Sequence, residues 1–263
     1  MAGTFSRFLE AALHRPGTAL VTGAGARVGR ALAERLGQDG WSVAVHYNRS
    51  SAGASETAET INSGPGRAVT VQADLADEAE TAGLIAKAQA SLGKPVTLLV
   101  NCASTFHDDS AQTHTRAQWD FHMEANLRAP IHLAQQFSNA LPAGEKGLVV
   151  NLIDQRVWKL NPQFFTYTLS KAALFQATKT LAQALAPAIR VNAIGPGPTL
   201  GSIHQTPEEF ADEQRLTLTG EGSNPEEIAK ALMYLISADS VTGQMIASDG
   251  GQHLMWQTPD VPV

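Results

Sequence analysis

Short runs rich in Val, Ile, Leu and Ala alternate with longer helical segments along most of this chain. That alternation limits its fold more than any other feature. TALVT (18–22), WSVAVHY (41–47), RAVTVQ (67–72), TLLVNCA (97–103), LVVNLI (148–153), AIRVNAI (188–194) and GQMIASD (243–249) read as strands. Helices are predicted over about 28–38, 52–61, 78–92, 118–141 and 164–185. Asn224-Pro225-Glu226-Glu227 marks the start of another, through Ile236. Strands joined through helices pair in parallel by right-handed βαβ crossovers. The expected fold class is therefore α/β, one doubly wound parallel sheet of about seven strands with helices on both faces.

The 263 residues contain no internal repeat or dividing linker, so we expect one domain over 18–263 behind an N-terminal extension, 1–17. That extension, MAGTFSRFLEAALHRPG, lacks the apolar run of a targeting peptide and reads as a short helical or frayed segment. Between the sixth strand and the 224–236 helix, residues 195–223 form a long connection. It must emerge where ligands bind such sheets, so we read it as a substrate loop. A net charge of −6 offers no basic surface to nucleic acid or an anionic membrane, so any bound phosphate must be held locally. A single cysteine, Cys102, forbids an internal disulfide and fits a reducing, cytoplasmic setting. No apolar run reaches membrane-spanning length. The eight histidines show no metal-ligand spacing, so no metal site is expected.

Three stretches carry chemistry. Thr22-Gly23-Ala24-Gly25-Ala26-Arg27-Val28-Gly29 follows the first strand, where a glycine-rich turn sets backbone N–H groups and a helix N-terminus against a phosphate. The second strand ends His46-Tyr47-Asn48-Arg49-Ser50. An acidic residue there would bind a ribose 2′-OH; Arg and Ser suit a 2′-phosphate, so NADPH is expected over NADH. Third, Tyr167 and Lys171 share a helix face at i, i+4, and Asp154 closes the fifth strand. A Lys beside a phenol is expected to lower its pKa and make it a general acid.

TGAGARVG, the Asn101-Cys102-Ala103-Ser104 run, Asn126, Tyr167-x-x-x-Lys171 and Gly195-Pro196-Gly197 together resemble the short-chain dehydrogenase/reductase family, from about Thr18 to Gly251. The resemblance implies a Rossmann-type sheet, a nicotinamide cofactor, a small-molecule substrate and a homotetramer. It also implies roles. Gly23, Arg27, Val28 and Gly29 would bind cofactor phosphates, and His46, Asn48, Arg49 and Ser50 would lie at the adenosine end. Asp74 would contact the adenine with Leu75 beside it, and Asn101, Ala103, Ser104, Pro196 and Gly197 would line the cofactor's path. Lys171 would hold the nicotinamide ribose beside Tyr167, and Asn126 would order a water relaying protons to Lys171.

Two departures narrow the substrate. Most members have Ser where Asp154 stands and Gly where Arg27 stands. A Ser hydroxyl donates to an oxygen becoming an alkoxide, whereas an ionised Asp only accepts and would repel it. A C=N substrate gains a proton on nitrogen and presents N–H donors, which suits a carboxylate. The combination is similar to the pteridine reductases and dihydromonapterin/dihydrofolate reductases of the family. That likeness implies a flat pterin stacked on Phe106, with Ser104 and Arg27 touching polar atoms of pterin and cofactor. Trp158 is placed either as a pocket wall or as an interface or core aromatic. The expected activity is NADPH-dependent reduction of a dihydropterin-type C=N bond. The alternatives are reduction of another carbonyl compound, with Asp154 held neutral by burial, and an NADP(H)-binding regulator without turnover.

Overall fold

A computed structural model describes residues 16–201 and 205–256; most of the 1–17 extension lies outside them. The strands are β1 (Thr18–Val21), β2 (Ser42–Tyr47), β3 (Arg67–Gln72), β4 (Leu98–Asn101), β5 (Gly147–Leu152), β6 (Ile189–Pro196) and β7 (Met245–Ser248). They form one seven-stranded sheet in the order β3-β2-β1-β4-β5-β6-β7, every pair parallel. This is the doubly wound parallel sheet expected from the alternation, in the Rossmann-type form that the family resemblance implies.

The helices are α1 (Arg27–Gln38), α2 (Ser51–Asn62), α3 (Glu78–Ala82), α4 (Leu84–Leu92), α5 (Arg116–Met123), α6 (Ala129–Ala140), α7 (Phe165–Leu185), α8 (Pro207–Arg215) and α9 (Pro225–Ser237). Successive strand residues feed opposite cores, as the pleat requires. Ala19 and Val21 of β1 pack with Leu32 and Leu36 of α1 and Leu232 of α9, while Leu20 packs with Leu133 and Phe137 of α6. Both faces being covered explains why β1, β4 and β5 are buried throughout and apolar almost without interruption.

Two expected helices are interrupted. The 78–92 segment breaks at Gly83 into α3 and α4. The 118–141 helix begins earlier, where Thr115 and Gln118 form a capping box, and it contains a π-turn over Glu124–Arg128 between α5 and α6. The connection 195–223 contains α8, which begins at its own capping box, Thr206 with Glu209.

β1 neighbours β2 on one side and β4 on the other, so the direction of winding reverses between β1 and β4. The crevice beyond their carboxyl ends is where such a sheet binds ligands. Thr22 holds it in shape, since its Oγ1 accepts the N–H groups of Cys102 (2.9 Å) and Ala103 (3.0 Å) beyond β4.

Candidate active site

A cavity of about 1510 Å³ opens at that crevice, walled by the β1–α1 turn, the chain after β2, β4, β5 and β6, and α8. Its floor is the glycine-rich turn. Gly23 has φ +67°, and a Cβ there would stand 2.9 Å from Ala103 Cα, so only glycine lets the two chains meet. The first residues of α1, Arg27, Val28 and Gly29, line the cavity at a helix N-terminus, where backbone N–H groups lack intrahelical partners. Asn48, Arg49 and Ser50 line it beyond β2, with no carboxylate among them. Asp74 and Leu75 line it beyond β3, and Ala103, Ser104, Pro196 and Gly197 continue the wall. A cleft with a phosphate-binding turn, a cation at the end of β2 and length across the switch point fits a phosphorylated dinucleotide.

Arg27 takes a left-handed backbone, φ +53°, at the position where most members have glycine. That conformation costs a non-glycine residue about 1–2 kcal/mol, and here it goes with a specific use of the side chain. The guanidinium reaches across the cavity mouth and donates to the carbonyls of Leu200 and Gly201, both at 3.2 Å. The phosphate turn and the loop after β6 are thereby tied together.

Tyr167 and Lys171 lie one turn apart on α7, both buried, and Asp154 sits just past β5. The Tyr167 hydroxyl donates to Asp154 Oδ2 at 2.9 Å, and Asp154 Oδ1 accepts the Arg156 N–H at 2.8 Å. Lys171 Nζ donates to the Leu152 carbonyl at 2.8 Å and lies 5.8 Å from the centre of the Tyr167 ring. Burial lowers Lys171 to about 8 despite the pull of Asp154. Burial likewise holds the Asp154 carboxyl above the usual carboxylate range, against the opposing pull of Arg156, Tyr167 and Lys171. The expectation that Lys171 lowers the Tyr167 pKa is overturned: burial and the Asp154 carboxylate beside it drive the phenol well above its ordinary value.

The aromatic wall is built from two directions. Phe106, after β4, stacks on Phe164 with ring centres 4.1 Å apart and planes at 14°, and meets Tyr167 edge-on at 4.7 Å. Phe164 precedes α7 with φ +53°, and the Arg156 guanidinium stands 5.2 Å from its ring centre.

Four expected site residues have different surroundings. Asn101 is not in the cavity wall; it donates to Asn151 Oδ1 (2.9 Å), because β4 and β5 pair at this register and bury the two amides together. Trp158 is outside the wall too, packed against Phe175 and His253 and 43% exposed. His46 touches the cavity, but Nδ1 accepts the Gly23 N–H (3.1 Å) and Nε2 meets the Ala73 carbonyl (3.1 Å), so it shapes the turn. Burial lowers it to about 4, which keeps it neutral. Asn126 lies fully buried behind the wall, inside the π-turn. Its Oδ1 accepts the Thr105 N–H (2.8 Å) and its Nδ2 donates to the Thr105 carbonyl (2.9 Å) and Ser170 (3.2 Å), so it clamps the Phe106 loop to α7. Such turns recur at functional sites. Sequence reasoning missed Arg156, Gln163 and Phe164, and also the acidic α8 residues Glu209, Asp212 and Glu213, all in the wall.

Among the described residues, no His, Cys, Asp and Glu cluster is placed to hold a metal ion, and no helix is long and apolar enough to cross a membrane.

Residues 23–253 match the short-chain dehydrogenase model described as Enoyl-(Acyl carrier protein) reductase. A short-chain type dehydrogenase/reductase of Picea abies is 30% identical over 254 residues, covering 89% of this chain and 91% of its own. The chain belongs to the short-chain dehydrogenase/reductase family. A solved structure of FolM alternative dihydrofolate reductase 1 from Brucella canis, complexed with NADP, is 48% identical with a TM-score of 0.91. The match covers 95% of this chain and 99% of that one. The angucycline C-6 ketoreductase LanV with bound NADP is 33% identical with a TM-score of 0.84, over 92% and 99% of the two chains.

Proposed function

We propose that this protein is an NADPH-dependent reductase of a dihydropterin-type C=N bond, in dihydrobiopterin, dihydromonapterin or dihydrofolate. The observation that carries the reading is the 2.9 Å hydrogen bond from Tyr167 to Asp154, where most members have serine, at the end of a cavity walled by Phe106. The 48% identity to an NADP-bound dihydrofolate reductase supports it. NADPH, when bound, supplies the hydride. The chain's own residues do the rest. Gly23, Arg27, Val28 and Gly29 would hold the pyrophosphate, Arg49 and Ser50 the 2′-phosphate, and Asp74 and Leu75 the adenine.

Phe106 offers the flat face for the substrate, and ring stacking adds about 0.5–1.5 kcal/mol beyond burial. Asp154 accepts the pterin's N–H groups when ionised and carries the proton when neutral, a state its raised pKa favours. Tyr167 stays protonated and fixes Asp154 by donating to it. Lys171 holds the ribose and keeps a positive charge beneath the pair below pH about 8.

Asp154→Ser tests this. Pterin reduction should fall at least roughly tenfold, about 1.4 kcal/mol of barrier, with NADPH affinity retained. Full pterin activity in the variant would remove the role of Asp154.

One observation favours a second reading, reduction of a ketone. A neutral Asp154 is also a donor to a carbonyl oxygen, and LanV is a ketoreductase at 33% identity. Turnover of ketones with none of pterins would establish it.

The proposed assembly is a homotetramer in the cytoplasm, by family resemblance. Trp119 of α5 and Leu169 of α7, each 36% exposed, give the helices an apolar face for a second copy. Light scattering on the eluted protein tests this; a monomer contradicts it.

A further inference from the structure

Behind the aromatic wall runs a buried polar chain that the proposed chemistry does not use. Asp109 lies beyond β4, three residues after Phe106, and reaches the first turn of α7. Its Oδ1 accepts the Thr166 N–H at 2.9 Å, its Oδ2 accepts the Thr166 hydroxyl, and its carbonyl accepts the Phe165 N–H at 3.3 Å. The Thr166 oxygen meets His122 Nδ1 at 2.7 Å, and His122 Nε2 meets the His107 backbone N–H at 3.2 Å. A backbone N–H only donates, so Nε2 accepts and the proton sits on Nδ1. Thr166 then accepts from His122 and donates to Asp109. Each side-chain proton has one place to be, and the direction of the whole chain is fixed.

The ends of this chain bracket the active site. His107 adjoins Phe106, and Thr166 adjoins Tyr167. His122 stands on α5 between them, its ring 6.1 Å from that of Tyr167. The helix needs the help: Phe164, in the left-handed region, gives no side-chain cap, and the Asp109 carboxylate serves the helix N-terminus in its place. Asp109, His122 and Thr166 are all buried, which makes every missing partner expensive.

We propose that Asp109, Thr166 and His122 are positioning residues that hold Phe106 against Tyr167 and so set the face on which the pterin stacks. The inference rests on the pterin reading above. Protonating His122 would replace the acceptor of the His107 N–H with a second donor and open the chain at that end. Asp109 and His107 from the loop, with Thr166 and Tyr167 from α7, face the ring. Burial lowers the His122 pKa, with Asp109 opposing and His107 adding to the effect. The link therefore holds at neutral pH and opens as pH falls through the His122 pKa.

The test compares wild type with Thr166→Val, Thr166→Ser and His122→Gln. It measures KM and kcat for dihydrobiopterin with NADPH, Kd for oxidised biopterin with NADP⁺ present, and Kd for NADPH. Thr166→Val should raise pterin KM and Kd roughly tenfold or more, with kcat within about threefold and NADPH Kd within about twofold. Thr166→Ser should restore wild-type values. Imidazole nitrogen NMR of the unmodified protein should show His122 neutral with its proton on Nδ1 at pH 7. Pterin KM should rise below the titration seen there, and His122→Gln should lack that rise. Wild-type pterin KM and Kd in Thr166→Val, an equal loss of NADPH affinity, or a charged His122 at pH 7 would each overturn the proposal. If wild type reduces no pterin, the functional reading has failed and this proposal with it. If wild type reduces pterins and Thr166→Val keeps its KM, only the positioning role has failed.

Discussion

Gly29→Ala isolates the geometry of the phosphate turn. A Cβ at Gly29 would lie 2.3 Å from the Gly23 carbonyl oxygen, 2.8 Å from its carbonyl carbon and 3.2 Å from Ala24 Cα. These are backbone atoms, with no side chain to rotate away. Carbon and oxygen approach to about 3.3 Å at closest, so the turn or the helix must move on the order of 1 Å. Overpacking of this kind costs about 1–3 kcal/mol, which in a chain of this size lowers Tm by about 2–4 °C per kcal/mol.

The same movement displaces the N–H groups at the start of α1, and NADPH Kd should rise about tenfold or more, at least about 1.4 kcal/mol. Gly83→Ala is the matched control. Gly83 lies between α3 and α4 at φ −91° and ψ −8°, with nothing within 4 Å of its added Cβ. Alanine there should stabilise by about 0.4–1 kcal/mol and leave NADPH binding unchanged. Thermal melts and NADPH fluorescence titrations on both variants decide the matter. If Gly29→Ala bound NADPH like wild type, the turn would not be the phosphate site.

Arg49→Asp should raise NADPH Kd roughly tenfold or more while leaving NADH binding within about threefold, because only the 2′-phosphate distinguishes the two; equal loss of both would remove the assignment. Asp154→Ser should keep NADPH Kd within about twofold while pterin turnover falls at least roughly tenfold, read by titration and steady-state kinetics on one preparation. Lys171, lowered to about 8, binds fewer protons in the folded chain than in the unfolded chain between that value and about 10.4. Its contribution to stability therefore rises with pH across that window and is lost as pH falls through it. The stability of Lys171→Met relative to wild type should accordingly be higher at pH 7 than at pH 10.5, by denaturant melts at both; a difference independent of pH would contradict the buried cation.

The sheet was legible because short, nearly continuous apolar runs alternate with period-3.6 helical patterns at βαβ spacing, and the strand runs agree with the structure to within two residues at each end. The π-turn, where Asn126 sits, was not read: one inserted residue offsets the apolar stripe by about 100°, a single shift inside an otherwise continuous helical segment. Gly83 was a visible breaker that the surrounding helical pattern outweighed. Tyr167 and Lys171 were readable from i, i+4 spacing alone. Their electrostatics were not, because burial and the Asp154 contact, made across thirteen residues of chain, together drive the phenol upward. His46 and Asn101 share another ambiguity: a polar side chain at a strand end reads the same from sequence whether it faces a ligand, a neighbouring backbone, as His46 does at Gly23 and Ala73, or a neighbouring side chain, as Asn101 does at Asn151. Phe164 was hidden because a left-handed backbone at phenylalanine has no sequence signature, and Arg156 because its approach to that ring depends on it.

The central claim is that the Asp154–Tyr167 pair serves a C=N bond in a pterin. It is tested most directly by following NADPH oxidation with dihydrobiopterin, dihydromonapterin and dihydrofolate beside a panel of simple ketones, with NADH as the control. The account predicts turnover of the pterins, little or none of the ketones, and a clear preference for NADPH. Turnover of the ketones alone would contradict it, and would mean that Asp154 acts as a neutral donor to oxygen.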